Sequence, residues 1–134
     1  MKKFLLIVTA LITCQACIFQ NQKKYYITLY RDQFEPSLNQ RRPHNITDSV
    51  EESNDTAAYL SALKRFYDQK IEERKIYNYG EPKSFTITDK NGKDLAEKLS
   101  PQIKTELTNQ VIGIPKVKIM LDAYQRDSGR VVKP

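Results

Sequence analysis

Hydrophobic and polar positions change their rhythm several times along this chain, and each change marks an element. From Phe4 to Thr13 (FLLIVTALIT) the side chains are apolar on every side, and Met1-Lys2-Lys3 places positive charge just ahead of them. A bilayer-spanning helix needs about 20 apolar residues, so a shorter run behind a charged start reads as an export signal. Tyr25 to Tyr30 (YYITLY) predicts a strand, with Ile27 and Leu29 on one face and Tyr26, Thr28 and Tyr30 on the other. Beyond it the rhythm dissolves. Pro36, Pro43, the RRPH cluster at 41–44 and the acidic EES at 51–53 leave no steady period, so residues 31–54 are expected to form a long irregular loop.

Helical spacing then takes over. Leu60, Leu63, Tyr67 and Ile71, widened by Tyr59, Ala62 and Phe66, form one apolar stripe, and Asn54, Asp55 or Thr56 can cap the helix they predict. Glu72 and Glu73 fall outside the stripe and are expected on its solvated side. Gly80 and Pro82 end it, and Ser84 to Asp89 alternates as a second strand with Phe85 and Ile87 together. Asn91-Gly92 signals a turn. Asp94 and Glu97 have the spacing of a capping box, and Ser100-Pro101 opens a second helix carrying Ile103, Leu107 and Val111. After Gly113 and Pro115, the segment KVKIMLDAY (116–124) alternates and predicts a third strand, with Val117, Ile119 and Leu121 inward. A polar tail follows, with a short edge strand at 130–132. These elements predict an α+β domain over residues 25–134: a small sheet of three strands, or four with the tail, and two helices on one face.

Cysteine placement sharpens the reading of the N-terminus. Both cysteines, Cys14 and Cys17, stand at the end of the apolar run, and no other occurs, so the domain has no internal disulfide. Residues 1–17 (MKKFLLIVTALITCQAC) resemble a bacterial lipoprotein signal peptide. That family wants an aliphatic residue three places before the modified cysteine and a small residue directly before it. Cys17 has Ala16 before it but Cys14 at the aliphatic position; Cys14 has Leu11 at that position but the larger Thr13 before it. Cys17 is favoured, with Cys14 as the alternative. The resemblance implies a signal peptide at 1–16, lipid on Cys17, a tether over 17–24, and residence in the cell envelope. The segment IFQNQKK after Cys17 has no acidic cluster and no Asp at the next position, which by the same resemblance points to the periplasmic face of the outer membrane.

Composition narrows the chemistry. The net charge of +6 falls to about +4 once Lys2 and Lys3 are removed. For an exported chain, nucleic acid is not the expected partner of such an excess. One histidine, His44, sits in the aperiodic segment, where a Ser-His-acid relay would lack a rigid support. The four glycines are isolated, so no phosphate-cradling loop exists, and with Cys17 modified no zinc-ligand set remains. The expectation is a protein with no enzymatic activity, cofactor or metal.

Aromatic and basic residues supply the remaining signal. Tyr25, Tyr26, Tyr30 and Arg31 near the start, Arg41 and Arg42 in the aperiodic stretch, and Tyr77 and Tyr79 after the long helix make up a candidate interface, since tyrosine and arginine are favoured where proteins bind one another. The sequence therefore predicts a lipid-anchored accessory protein acting through protein–protein contact, as a complex subunit or an immunity-like inhibitor. The alternative is a binder of anionic envelope material such as peptidoglycan or lipid head groups.

Overall fold

The computed structural model describes residues 22–75 and 80–130; the signal segment 1–16, Cys17, Tyr77, Tyr79 and positions 131–132 lie outside them. The fold is α+β. Strands β1 (Lys23–Glu35), β2 (Gln40–Glu52) and β3 (Ser84–Thr88) form one antiparallel sheet in the order β2-β1-β3. Helix α1 (Asp55–Lys75) lies across the sheet, the single-turn α2 (Leu95–Lys98) follows β3, and α3 (Pro101–Ile112) and α4 (Pro115–Arg130) pack behind α1.

Two of the expected strands and both expected helices form. The strand expected over 25–30 is the middle of β1, its alternation as read: Tyr25, Ile27 and Leu29 are buried while Tyr26 and Tyr30 face solvent. Asn54 caps α1, its side-chain Oδ1 accepting from the Ala57 N–H at 2.8 Å, and Asp55 places negative charge on the positive end of the helix. Asp94 caps α2 by accepting from the Ala96 N–H, and Ser100 caps α3 as expected, with Pro101 in the first turn.

Other expectations are overturned. The segment 31–54 is not an irregular loop: β1 continues to Glu35, Pro36–Asn39 turn the chain, and β2 returns for thirteen residues. Pro36 occupies the second position of a turn closed by the Leu38 N–H donating to the Glu35 carbonyl, and Asn39 takes a positive φ of 49°, a conformation asparagine tolerates better than most residues. β2 has an edge position and a mostly exposed surface, so its strand carries almost no hydrophobic period. β1 also begins earlier than expected, at Lys23 rather than Tyr25.

The segment 116–124 is helix, not strand. Val117 and Met120 are buried whereas Ile119, about 200° round the helix from Val117 and about 100° from Met120, is 67% exposed. Val117, Met120, Leu121 and Tyr124 supply a helical stripe that coexists with the period-two pattern, and Pro115 at the start of α4 favours helix entry. The helix runs to Arg130, so residues 125–130 are not an irregular tail.

Two apolar clusters share α1. One lies between the helix and the sheet: Tyr25, Ile27, Leu29 and Ile87 meet Ala58, Ala62, Phe66 and Leu95. The other joins Leu63 to Leu107, Val111, Val117 and Met120 of α3 and α4. Ala58 and Ala62 are wholly buried, and their small size lets α1 sit close to β1. Gly80 also enforces close approach: its N–H donates to the Asp32 carbonyl at 2.9 Å, and a Cβ there would stand 2.0 Å from that same oxygen.

Polar bonds hold both ends of the strand–helix contact. The Tyr25 hydroxyl donates to Asp55 Oδ1 at 2.8 Å, and the Arg31 guanidinium meets Glu73 Oε1 at 2.5 Å with both side chains only 7% exposed. Glu73 also accepts from Gln69 Nε2 at 2.7 Å, so it is a buried anchor, contrary to the solvated position expected for it. Removing one member of a buried pair strands the other charge. Glu73→Ala should therefore lose about 3–5 kcal/mol in urea unfolding, and Arg31→Leu with Glu73→Leu should recover much of that loss. Gly80→Ala should destabilise by about 1–3 kcal/mol, because β1 must move to admit a methyl group.

Candidate functional site

The antiparallel register divides the sheet into two unequal faces. Opposed residues point the same way, so Tyr25, Ile27, Leu29 and Arg31 share the helix side with Val50, Asp48, Ile46 and His44. The opposite side carries Lys24, Tyr26, Thr28, Tyr30, Asp32 and Phe34 from β1, Arg41, Asn45, Thr47, Ser49 and Glu51 from β2, and Ser84, Thr86 and Thr88 from β3. Among the described residues no helix covers that second face.

Three rings mark it. Tyr26, Tyr30 and Phe34 recur every four residues along the central strand and are 40%, 37% and 38% exposed. At a rise of about 3.3 Å per residue they span roughly 26 Å. Hydroxyls fill the spaces between them: Thr28 Oγ1 and Thr47 Oγ1 are 3.0 Å apart, and Tyr30 Oη and Thr86 Oγ1 are 3.2 Å apart. Lys24 Nζ lies 5.7 Å from the Tyr26 ring centroid. The result is a flat surface of aromatic rings in a hydroxyl lattice, with Arg41 opposite Phe34 at the hairpin end.

The candidate interface residues thus separate. Tyr26, Tyr30 and Arg41 lie on the open face. Tyr25 and Arg31 are buried clamps and cannot meet a partner, which corrects their assignment as interface. Arg42 points to the helix side and stands 3.8 Å from Glu35; Tyr77 and Tyr79 fall outside the described residues. Phe34 was missed because it sits in the stretch without period, although its four-residue spacing from Tyr30 was available. His44 is exposed on β2 opposite Arg31.

The lysines near the start of the sheet are matched by carboxylates. Lys23 and Lys24 are opposite Glu52 and Glu51, and Lys98 Nζ lies 2.5 Å from Asp89 and 3.9 Å from Asp55. Hydrogen bonds from Lys98 and from the Lys93 and Asn91 backbone hold the Asp89 carboxyl down to about 2. Among the described residues, no group of three or more His, Cys, Asp or Glu side chains could hold a metal ion, and no helix is long and apolar enough to cross a membrane.

Comparison with known proteins finds no match among family models, curated proteins or solved structures.

Burial, then the hydrogen bond to Asp55, pushes the Tyr25 hydroxyl up to about 12. Its neutral form is favoured by folding, so its contribution is complete below pH 10 and is lost as pH rises through about 12. Burial raises Tyr59 and Tyr67 in the same direction. The urea midpoint should consequently fall between pH 10 and 12, and Tyr25→Phe should flatten that fall in part, since the other two tyrosines still titrate.

Proposed function

We propose that this chain is a lipid-anchored envelope protein, attached through Cys17, that works by docking a protein partner on the open face of its sheet and performs no catalysis of its own. The observation that carries this reading is the exposed row Tyr26, Tyr30 and Phe34 on a strand whose other face is committed to the core from Tyr25 to Leu29. Rings of this kind offer large contact area at little conformational cost, and aromatic side chains concentrate binding energy at protein interfaces.

Anchor and face have a compatible arrangement. Five residues, 18–22, separate Cys17 from the first residue of β1, a reach of at most about 20 Å over six Cα steps. The two thirteen-residue strands of the hairpin then extend about 40 Å from that end. A lipid at Cys17 would hold the start of the sheet near the bilayer and direct Phe34, exposed Leu38 and Arg41 away from it, towards a partner in the aqueous space. The envelope address predicted from the signal resemblance belongs to the same reading, with the periplasmic side of the outer membrane as its placement.

Two experiments test the two halves separately. An alkyne-tagged fatty acid should label the protein and its Cys14→Ser variant but not Cys17→Ser; labelling of Cys17→Ser would refute the anchor. Stoichiometric co-purification of a protein from solubilised envelopes should be lost in the triple variant Tyr26→Ala, Tyr30→Ala, Phe34→Ala while circular dichroism shows it folded. Ile119→Ala, an exposed apolar control on α4, should retain the partner. Equal capture by the triple variant would refute the role of the face.

A further inference from the structure

The outer edge of β2 carries a charge pattern that is its own complement. Reading along Gln40–Glu52, Arg41, Arg42 and His44 occupy one half, and Asp48, Glu51 and Glu52 the other. Among the described residues β2 is an edge strand of the sheet, so half of its backbone groups have no strand partner there. Which half follows from β1. The Tyr30 and Asp32 carbonyls accept from Lys83 and Gly80 on the β3 side, so even-numbered β1 residues turn their backbone groups towards β3 and odd-numbered ones towards β2. Through the register, even β2 residues bond to β1, and Arg41, Pro43, Asn45, Thr47, Ser49 and Glu51 direct theirs outward.

We infer that this edge pairs with the same edge of a second copy of the chain, antiparallel about a two-fold axis at Ile46, to make a continuous six-stranded sheet. The surface involved is the outer edge of the sheet; Arg41, Asn45, Thr47 and Glu51 border both it and the face assigned to the protein partner, whose aromatic row lies on β1. A two-fold axis normal to the sheet keeps each face on its own side, which requires each residue to oppose one of the same parity. Centring on Ile46 satisfies this and opposes Arg41 to Glu51 of the second copy, His44 to Asp48, and Asn45 to Thr47, each twice. The Arg41 guanidinium, which in the single chain reaches across β1 towards Gly80, swings outward to meet Glu51, and Asp48 shares its carboxylate with Arg65. Arg41 and Glu51 make no ion pair within the described residues.

The donors agree with this register. Pro43 has no N–H, and the Ser49 N–H is already taken by Asp48 Oδ1 at 2.7 Å. These two positions oppose one another when the axis falls at Ile46, so no outward N–H is left facing an empty position. Asn45 and Thr47 keep free donors and acceptors and pair across the axis. Moving the axis one step towards either end separates Arg41 from Glu51 and opposes Ile46 to a polar side chain. Pro43 and the charges discourage indiscriminate edge pairing, and here they select one register. The helices do not obstruct it: α1 and its copy would be about three strand spacings apart, or roughly 14 Å, against the 8–10 Å of packed helices.

Disulfide trapping in the full chain tests the register directly. Opposed residues at a non-hydrogen-bonded position have Cα atoms about 4.5 Å apart, within disulfide reach. With copper-phenanthroline as oxidant, Ile46→Cys should give a disulfide-linked dimer absent from the wild type, which carries Cys14 and Cys17 as background. Lys90→Cys, on an exposed turn away from the edge, should not. Adding Arg41→Glu should reduce the Ile46→Cys dimer about tenfold or more, because each reversal acts twice across the axis, and adding Glu51→Arg as well should restore it. Thr47→Pro should abolish it while leaving the fold intact, since that N–H points away from β1 just as the Pro43 position does. Absence of the Ile46→Cys dimer, equal trapping at Lys90→Cys, or indifference to the charge exchange would each overturn the inference.

Discussion

The way α1 is laid along β1 governs the rest of the molecule. Tyr25 binds Asp55 at one end of the contact, Arg31 binds Glu73 at the other, and between them Ala58 and Ala62 allow the helix to settle onto Ile27 and Leu29. All four β1 residues are odd-numbered. Because side chains alternate along a strand, fixing these inward forces Lys24, Tyr26, Thr28, Tyr30 and Phe34 outward. A slip of one residue would bury the second set and expose the first, and it would strand the guanidinium of Arg31 away from its carboxylate. Tyr25 and Arg31 thus use their polar ends as locators, and the exposed aromatic row is a consequence of where they are held.

The same constraint separates stability from recognition. The inner side of β1 and the stripe of α1 build the first apolar cluster, and Leu63 passes the burial on to α3 and α4 in the second. Substitutions there act on folding. The outer side of β1 contributes little to either cluster, so its rings and hydroxyls can change without disturbing the core. β3 pairs with β1 only as far as Tyr30, and beyond that point Gly80 and Lys83 secure the strand before the hairpin continues towards its tip. Arm and platform are therefore one piece of sheet, half supported by helix and half projecting.

Where a pattern served burial, the sequence could be read. The alternation of YYITLY, the stripe of α1, the Asn91-Gly92 turn, in which Gly92 takes a φ of 78°, and the two caps at Asp94 and Ser100 all survive in the structure. Two segments misled for opposite reasons. β2 is wet on one face and bare along one edge, so Ile46 and Val50 alone carry its hydrophobic signal, and Pro43 argued against a strand although its position faces outward where no N–H is needed. In α4, Val117, Ile119 and Leu121 imitated a strand while Val117, Met120 and Tyr124 encoded the helix that formed. Of the site, Tyr26, Tyr30 and Arg41 were legible as surface aromatics and a base; the inward turn of Tyr25 and Arg31 was not, because a polar tip on a buried side chain is visible only once its partner is placed.

Residue-resolved amide hydrogen exchange along β2 tests the account most directly, at a concentration low enough to keep the chain monomeric. The N–H groups of Arg42, His44, Ile46, Asp48 and Val50 should exchange slowly, and those of Arg41, Asn45 and Thr47 fast. Uniformly fast exchange from 40 to 52 would mean that this segment is loop after all, and the register that sorts the two faces would fall with it.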